Sequence, residues 1–395
     1  MFKTYSELFK TPGAKRIASA GFISRLPIAM DALAIILFVQ SVDGRYAIAG
    51  SLTAVAALVT VISAPLWSKA ADHLGQRLVL SIAIPIRLTF IITFIALVSN
   101  GAPIWSWFLS IFLAESASVS MGSMTRRRWA HVIERDRKDI LSTSYTFESL
   151  LDEFIYILGP VFTTAVVAAI SPAAGLILGV IFLMVGAPLL ISHRTSDPGV
   201  THRHVGEKLK SVFRNRKLQA VGIPLTIAGG SFSAVNICVV AFSEERGAKS
   251  LSGVLLGIWA AGGAVSALVN GSITWKISHG TRYVSYLLGM TLISLSFPFI
   301  ENFYFLGVAL FMQGVCIAPL LPNGLSLVTD SVSPSQMTQA ITLATAGIPL
   351  TGSLSSFLSG VLIDNYGAST ALWLPFGFLI CSCTAMLLYS KEYKS

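Results

Sequence analysis

Long apolar runs alternate with short polar intervals along the whole chain. Twelve stretches stand out, near residues 17–40, 46–67, 78–98, 103–125, 141–169 and 173–192, then 218–242, 251–274, 283–300, 303–325, 338–362 and 370–390. A bilayer core ~30 Å thick takes about 20 helical residues to cross. Backbone groups in hydrocarbon must bond within their own segment, so runs of this length predict α-helices. The pattern therefore predicts an all-α membrane protein of about twelve transmembrane helices in two pseudo-symmetric six-helix bundles. The bundles are expected at 1–192 and 218–395, joined by a polar cytoplasmic linker at 193–217.

Composition agrees with lipid as the solvent. Of 395 residues, 54% are hydrophobic and 12% charged, about half the charge of an ordinary soluble domain. The formal net charge is +9, which in another setting would suggest nucleic acid. Here the basic residues sit in short loops. With both termini placed in the cytoplasm, 23 of the 28 Lys and Arg fall on that side and only Arg45, Arg246 and Lys249 on the other. That split is the positive-inside rule, and no nucleic-acid partner is expected. The basic N-terminal residues (Lys3, Lys10, Lys15, Arg16) lead into an apolar run without a small-residue cleavage site, which reads as a retained first span. Linker residues Lys208 to Lys217 form a basic amphipathic piece that suits either anionic-lipid contact or a solvated tether. The four cysteines lie inside apolar segments with no C-x-x-C pair. His202 and His204 are two ligands at most, so no metal site is expected. Neither a phosphate-binding loop nor a G-x-S-x-G elbow occurs, so an enzyme is not expected.

The interval between the second and third spans runs Ser68-Lys-Ala-Ala-Asp72-His-Leu-Gly75-Gln-Arg77. With six spans, a basic central interval and six more, the chain resembles the major facilitator superfamily over nearly its whole length. That family's pattern in this loop is G-x-x-x-D-R-x-G-R-R. Asp72, Gly75 and Arg77 match; Ser68 replaces the first glycine, and His73 and Gln76 replace basic residues. The resemblance implies a cytoplasmic gate at Asp72, Gly75 and Arg77. Gly280 and Arg282 repeat the G-x-R at an offset of 205 residues, as two homologous halves would. Gly159 and Pro160 in the fifth span resemble the core of the family's antiporter motif, with Thr163 and Thr164 where further glycines would stand.

Seven ionisable residues fall inside the first-half spans: Arg25, Asp31, Arg87, Glu115, Glu148, Asp152 and Glu153. Each costs ~2.5–3.5 kcal/mol at the centre of a membrane helix. Glu148 and Asp152 are four residues apart and share a helix face, and Glu153 points about 100° away. Two arginines against five carboxylates leave at least three acids without a cation from this set. Burial and like-charge crowding raise a carboxylate's pKa, which proton coupling needs, while a buried salt-bridge network that never titrates is the other reading. Asp152 with Glu148 is the first candidate for proton coupling. Asp31 and Glu115 follow, then Glu153, with Arg25 and Arg87 as charge partners. The basic run Arg126 to Arg128 reads as a loop anchor. Second-half spans offer neutral amides, of which Asn236 and Gln313 are candidate cavity residues.

These features predict a secondary transporter of a small molecule working by alternating access. It would lie in the plasma (inner) membrane of a prokaryote as a monomer, with no cofactor and the proton gradient as energy source. Export of a drug-like or metabolic compound against protons is the first expectation. Proton-coupled or facilitated uptake of a small metabolite is the second, and a non-transporting sensor or assembly protein is the rival from another class.

Overall fold

The computed structural model of the chain describes residues 6–133, 137–200, 215–272, 276–329, 331, 340, 343–345 and 347–393. Among them there are helices, turns and coil but no strand. Among the described residues, eleven helical segments are long and apolar enough to cross a membrane. The helices are α1 Ala14–Asp43, α2 Tyr46–Leu74, α3 Gln76–Ser99, α4 Ile104–Ser116, α5 Met121–Val132, α6 Lys138–Ala169 and α7 Ala174–Ser192. They continue as α8 Arg216–Glu245, α9 Leu251–Ser272, α10 His279–Ser294, α11 Phe303–Thr329, α12 Ile348–Tyr366, α13 Ala368–Ala371 and α14 Trp373–Leu388.

Two spans depart from a plain rod. The fourth is broken: α4 stops at Ser116 and α5 starts at Met121, together forming one crossing of 29 residues. The ninth, expected at 283–300, is the 16-residue α10, about 24 Å long at 1.5 Å per residue. A 3₁₀ turn at Phe297–Phe299 extends it toward the expected end, giving the twelfth segment of the fold. The His202–His204 pair lies outside the described residues.

Burial runs opposite to that of a soluble protein. Arg25, Glu148 and Glu115 are 1%, 0% and 4% exposed, whereas Phe299 is 70% and Leu388 82% exposed. Polar groups are hidden and aliphatic ones displayed, as hydrocarbon solvent requires.

Contacts divide the chain into two compact units, residues 1–42 with 59–204, and 43–58 with 205–395. Residues 43–58, expected in the N-terminal bundle, fall in the second unit. The helix α2 therefore belongs to one unit along its first half and to the other along its second.

In the first unit, α3 packs on α4 and α7, and α6 on α7. An apolar core of Val79, Leu80, Ala83, Leu183 and Ala187 lies among these helices. Gly159 allows a close crossing of α6 over α1, since a Cβ there would stand 2.6 Å from the Ala29 Cβ. The Thr163 and Thr164 hydroxyls donate to the carbonyls of Gly159 and Pro160 at 2.9 and 3.0 Å, holding polar groups inside the helix around the proline. Arg128 is fully buried and braces the end of α7. Its guanidinium donates to the Leu190 carbonyl at 2.8 Å, to Ser196 Oγ at 2.9 Å and to Gln76 Oε1 at 2.9 Å. A cation at a helix C-terminus meets carbonyls that have no partner in the helix.

The second unit is knitted by small residues. A Cβ on Gly262 would collide with the Phe311 carbonyl, and one on Gly314 with the Trp259 carbonyl, so α9 and α11 touch backbone to backbone. On α8 Gly229 also lies against the backbone of Ile348 of α12, where a Cβ would stand 2.7 Å from the Ile348 carbonyl oxygen. The core centres on Leu225, Tyr283, Leu287, Met290 and Leu379. Gly280 packs against the Tyr393 backbone, while Gly75 turns the chain between α2 and α3 at φ +87°. Only Gly75 needs glycine for its backbone angle. The two glycines of the 205-residue repeat thus do different physical jobs.

Gly159→Ala should destabilise the protein by about 1–3 kcal/mol, because α1 has no room for the added methyl. Thermal unfolding in detergent, compared with Gly175→Ala where the nearest contact would be 3.0 Å, measures the difference.

Candidate functional site

Four spans of the first unit meet at Arg87. Its Nη2 lies 2.6 Å from Asp31 Oδ2 of α1 and 3.0 Å from Glu115 Oε1 of α4. Its Nη1 donates to Glu115 Oε2 at 3.0 Å and to Ser118 Oγ at 2.6 Å, in the break between α4 and α5. From α2, Thr60 Oγ1 donates to Glu115 Oε2 at 2.8 Å and Ser63 Oγ to the Glu115 carbonyl at 2.7 Å. Trp67 Nε1 donates to the Ser116 carbonyl at 2.8 Å. The side chains that ring the break thus satisfy carbonyls that the interrupted helix cannot. Asp31 has the small Gly179 of α7 behind it; a Cβ there would stand 3.3 Å from Asp31 Oδ1.

A second network lies around Arg25. Its Nη2 is 2.6 Å from Glu148 Oε2 and its Nη1 2.7 Å from Asp152 Oδ1. The Trp129 indole donates to Glu148 Oε1 at 2.6 Å, and Arg126 Nη2 lies 2.6 Å from Asp152 Oδ2. Arg25 and Glu148 are closed off, with side chains 2% and 0% exposed, while Asp152 keeps 33%.

The charges of the two networks differ. Arginine stays protonated in proteins. Around Arg25 two guanidiniums face two carboxylates, and the formal sum is zero. Around Arg87 one guanidinium faces two carboxylates, and the formal sum is −1. One proton on either Asp31 or Glu115 would neutralise that cluster. No such vacancy exists around Arg25.

Arg126 to Arg128, read from sequence as a loop anchor, lie on α5, and each has a specific partner: Asp152 for Arg126, Asp72 for Arg127 and the end of α7 for Arg128. Arg126 supplies the cation that the sequence count lacked beside Asp152. The Glu153 side chain lies outside the described residues.

The remaining expected residues fall as follows. Asp72 ends α2 in an ion pair with Arg127, and Gly75 makes the turn that follows. Arg77 is half-buried and has no ion pair among the described residues. Gln313 is not a cavity residue: it is fully buried and its Nε2 donates to Ser294 Oγ at 2.6 Å, fastening α11 to α10. Asn236 is half-buried and bonds the Phe232 carbonyl of its own helix at 2.8 Å. His193, beyond the end of α7, is held below its usual range by burial and by the Arg16 and Arg128 charges beside it. Thr60, Ser118 and Arg126 belong to the site and were not singled out from sequence, because nothing in local spacing ties them to residues 26 to 55 positions away.

Arg25→Ala should cost about 3–5 kcal/mol, since it leaves Glu148 charged and closed off from water. Arg25→Met combined with Glu148→Leu should recover most of that loss. Denaturant unfolding of the single and double variants reads the difference.

A Major Facilitator Superfamily profile matches residues 17–303 and 278–395. Among solved structures, a mutant form of the nucleoside transporter NupG superposes with a TM-score of 0.80 at 12% identity, covering 95% of this chain and 98% of that one. A POT family transporter in complex with a thioalcohol-conjugated peptide gives 0.72 at 13% identity, covering 96% of each chain. The human organic anion transporter MFSD10 gives 0.63 at 14% identity, covering 94% of this chain and 99% of that one. At such identities the likeness concerns the fold. No curated protein matches the sequence. With the profile spanning both halves and the helices arranged as in these transporters, the chain belongs to the Major Facilitator Superfamily and is a multi-pass membrane transporter of small molecules, not an enzyme.

Proposed function

We propose that this transporter is driven by protons and that the Asp31–Arg87–Glu115 cluster is where the proton is carried. The observation that supports this reading is a single guanidinium shared by carboxylates from two different helices. A cluster with a formal charge of −1 inside hydrocarbon is costly, and a proton removes the cost. Sequence ranks Asp152 and Glu148 first; the charge count ranks Asp31 and Glu115 above them and leaves the Arg25 network a structural brace. Each elementary charge moved across 100 mV carries ~2.3 kcal/mol, enough for one proton to drive a useful solute gradient.

Export of a drug-like or metabolic compound in exchange for protons remains the direction we favour, from the Gly159–Pro160 element and the carboxylates of the first unit. Proton-coupled uptake is the alternative. The structural neighbours are named for nucleosides, peptides and organic anions, so the substrate of this chain is sought across those classes. We place the protein in a prokaryotic plasma membrane, as a monomer with both termini cytoplasmic.

The test uses purified protein in liposomes enclosing a pH-sensitive dye. Uridine, a dipeptide, an organic anion and ethidium serve as probes under an imposed pH gradient. Asp31→Asn and Glu115→Gln should each lower proton movement coupled to the transported probe about tenfold or more, ~1.4 kcal/mol. Asp152→Asn should lower it far less. Coupled flux that survives intact in both Asp31→Asn and Glu115→Gln removes the cluster from the proton path.

A further inference from the structure

The Ser192 end of α7 gathers arginines that lack a counter-ion. Nearby Arg126, Arg127 and Arg137 hold Asp152, Asp72 and Glu7. Arg16, Arg128 and Arg194 have no ion pair among the described residues. Arg16, in the first turn of α1, is exposed; its Nε donates to the Leu189 carbonyl at 3.2 Å and its Nη2 to Ser192 Oγ at 2.5 Å. Gly13 permits this approach. At φ +80° it lays the chain on the His193 ring, where a Cβ would collide with Cε1. Arg128 reaches the same helix end from the interior, through the Leu190 carbonyl, and its Nη2 is buried without a partner. Arg194 is exposed and opens the 3₁₀ turn Arg194–Ser196. Asp197, just past that turn, is the acid whose charge acts on Arg128. Three arginines and one carboxylate give a formal sum of +2. The helix dipole contributes about −0.5 at this end, so the cations decide the sign.

We propose that this helix end is a phosphate-binding site, with Arg16 as the residue that holds the phosphate and the buried Arg128 charge behind it. Arg16 spends two of its five N–H donors on α7. The other three remain on an exposed guanidinium that is already anchored, so little side-chain freedom is lost when a phosphate takes the fork. Arg128 acts through its charge and not by contact. All its bonds go to neutral acceptors, the Gln76 amide, the Leu190 and His193 carbonyls and the Ser196 hydroxyl. A buried cation held that way is under-compensated, and an anion on Arg16 lowers the cost. Depth selects the source of the phosphate. Arg16 lies in the first turn of a membrane-crossing helix and Ser192 is the last residue of another, which puts the site at the level of lipid headgroups. Basic pockets at such helix ends take anionic headgroups. A net positive site favours phosphatidylglycerol over zwitterionic phosphatidylcholine, and headgroup depth favours lipid over free phosphate. The proposal rests on α1 and α7 crossing the membrane and is independent of where the proton is carried.

The test needs no transport substrate. The full chain in detergent is titrated with phosphatidylglycerol or phosphatidylcholine, and bound lipid is counted by native mass spectrometry. Inorganic phosphate is titrated separately and read by the melting temperature. Phosphatidylglycerol should bind the parent more tightly than phosphatidylcholine, and Arg16→Gln should weaken it about tenfold, as loss of charge-assisted bonds does. Arg16→Lys, which keeps the charge without the fork, should fall between. Arg194→Gln should weaken binding less than Arg16→Gln; its side chain makes no bond among the described residues, so a folding failure of the Arg16 variants does not void the test. Arg216→Gln, at an exposed arginine that opens α8 in the other unit, should change nothing. Stabilisation by inorganic phosphate that is lost in Arg16→Gln, with no preference between the lipids, keeps the site and assigns it to free phosphate. Lipid and phosphate binding unchanged in both Arg16→Gln and Arg194→Gln overturns the proposal. Equal weakening in Arg216→Gln overturns it too, since that is diffuse surface charge.

Discussion

One guanidinium between two carboxylates is the constraint around which the first unit is built. Arg87 cannot shed its proton, and the hydrocarbon around the spans penalises any uncompensated charge. Asp31, Glu115 and Ser118 must therefore converge on it from α1, α4 and the break in the fourth span, and Thr60 of α2 bonds Glu115 in turn. The break is part of the same solution. A continuous helix through residues 117–120 would satisfy its own carbonyls; the interrupted one exposes them to Ser63 and Trp67, which tie α2 to the site.

The Arg25 network shows the opposite design with the same residue types. Two arginines, two carboxylates and an indole N–H close a neutral knot between α1, α5 and α6. Such a knot is expensive to break and has little to exchange. Two clusters in one bundle, one balanced and one short of a cation, fit the proposed division between holding the helices and taking up a proton. Gly159 and Gly179 permit both, by letting α6 and α7 approach α1 where these acids sit.

The sequence made the helices, their number and the presence of costly intramembrane charge legible, because lipid imposes length and apolarity on every span. It also showed the turn at Gly75, whose positive φ only glycine adopts cheaply. Pairing was not legible. Helical periodicity placed Glu148 and Asp152 on one face, but nothing local shows that Arg126, 26 residues earlier, would reach Asp152, or that a basic run would lie along a helix with Arg128 fully buried. The amide Gln313 illustrates the same limit: a polar residue in a span signals burial against another helix or exposure to a cavity, and only the neighbouring Ser294 decides between them. Nor did the first-half position of Tyr46 hint that its amide would be held by Asp364, 318 residues on.

In the proposed function the Arg87 cluster, and not the Arg25 network, takes up the proton. Difference infrared spectroscopy across a pH step on the protein in lipid follows the carbonyl stretch of a protonated carboxyl directly. A band should appear on acidification, be altered or lost in Asp31→Asn or Glu115→Gln, and be retained in Glu148→Gln. A band that persists in the first two variants and vanishes in the third would contradict the proposal.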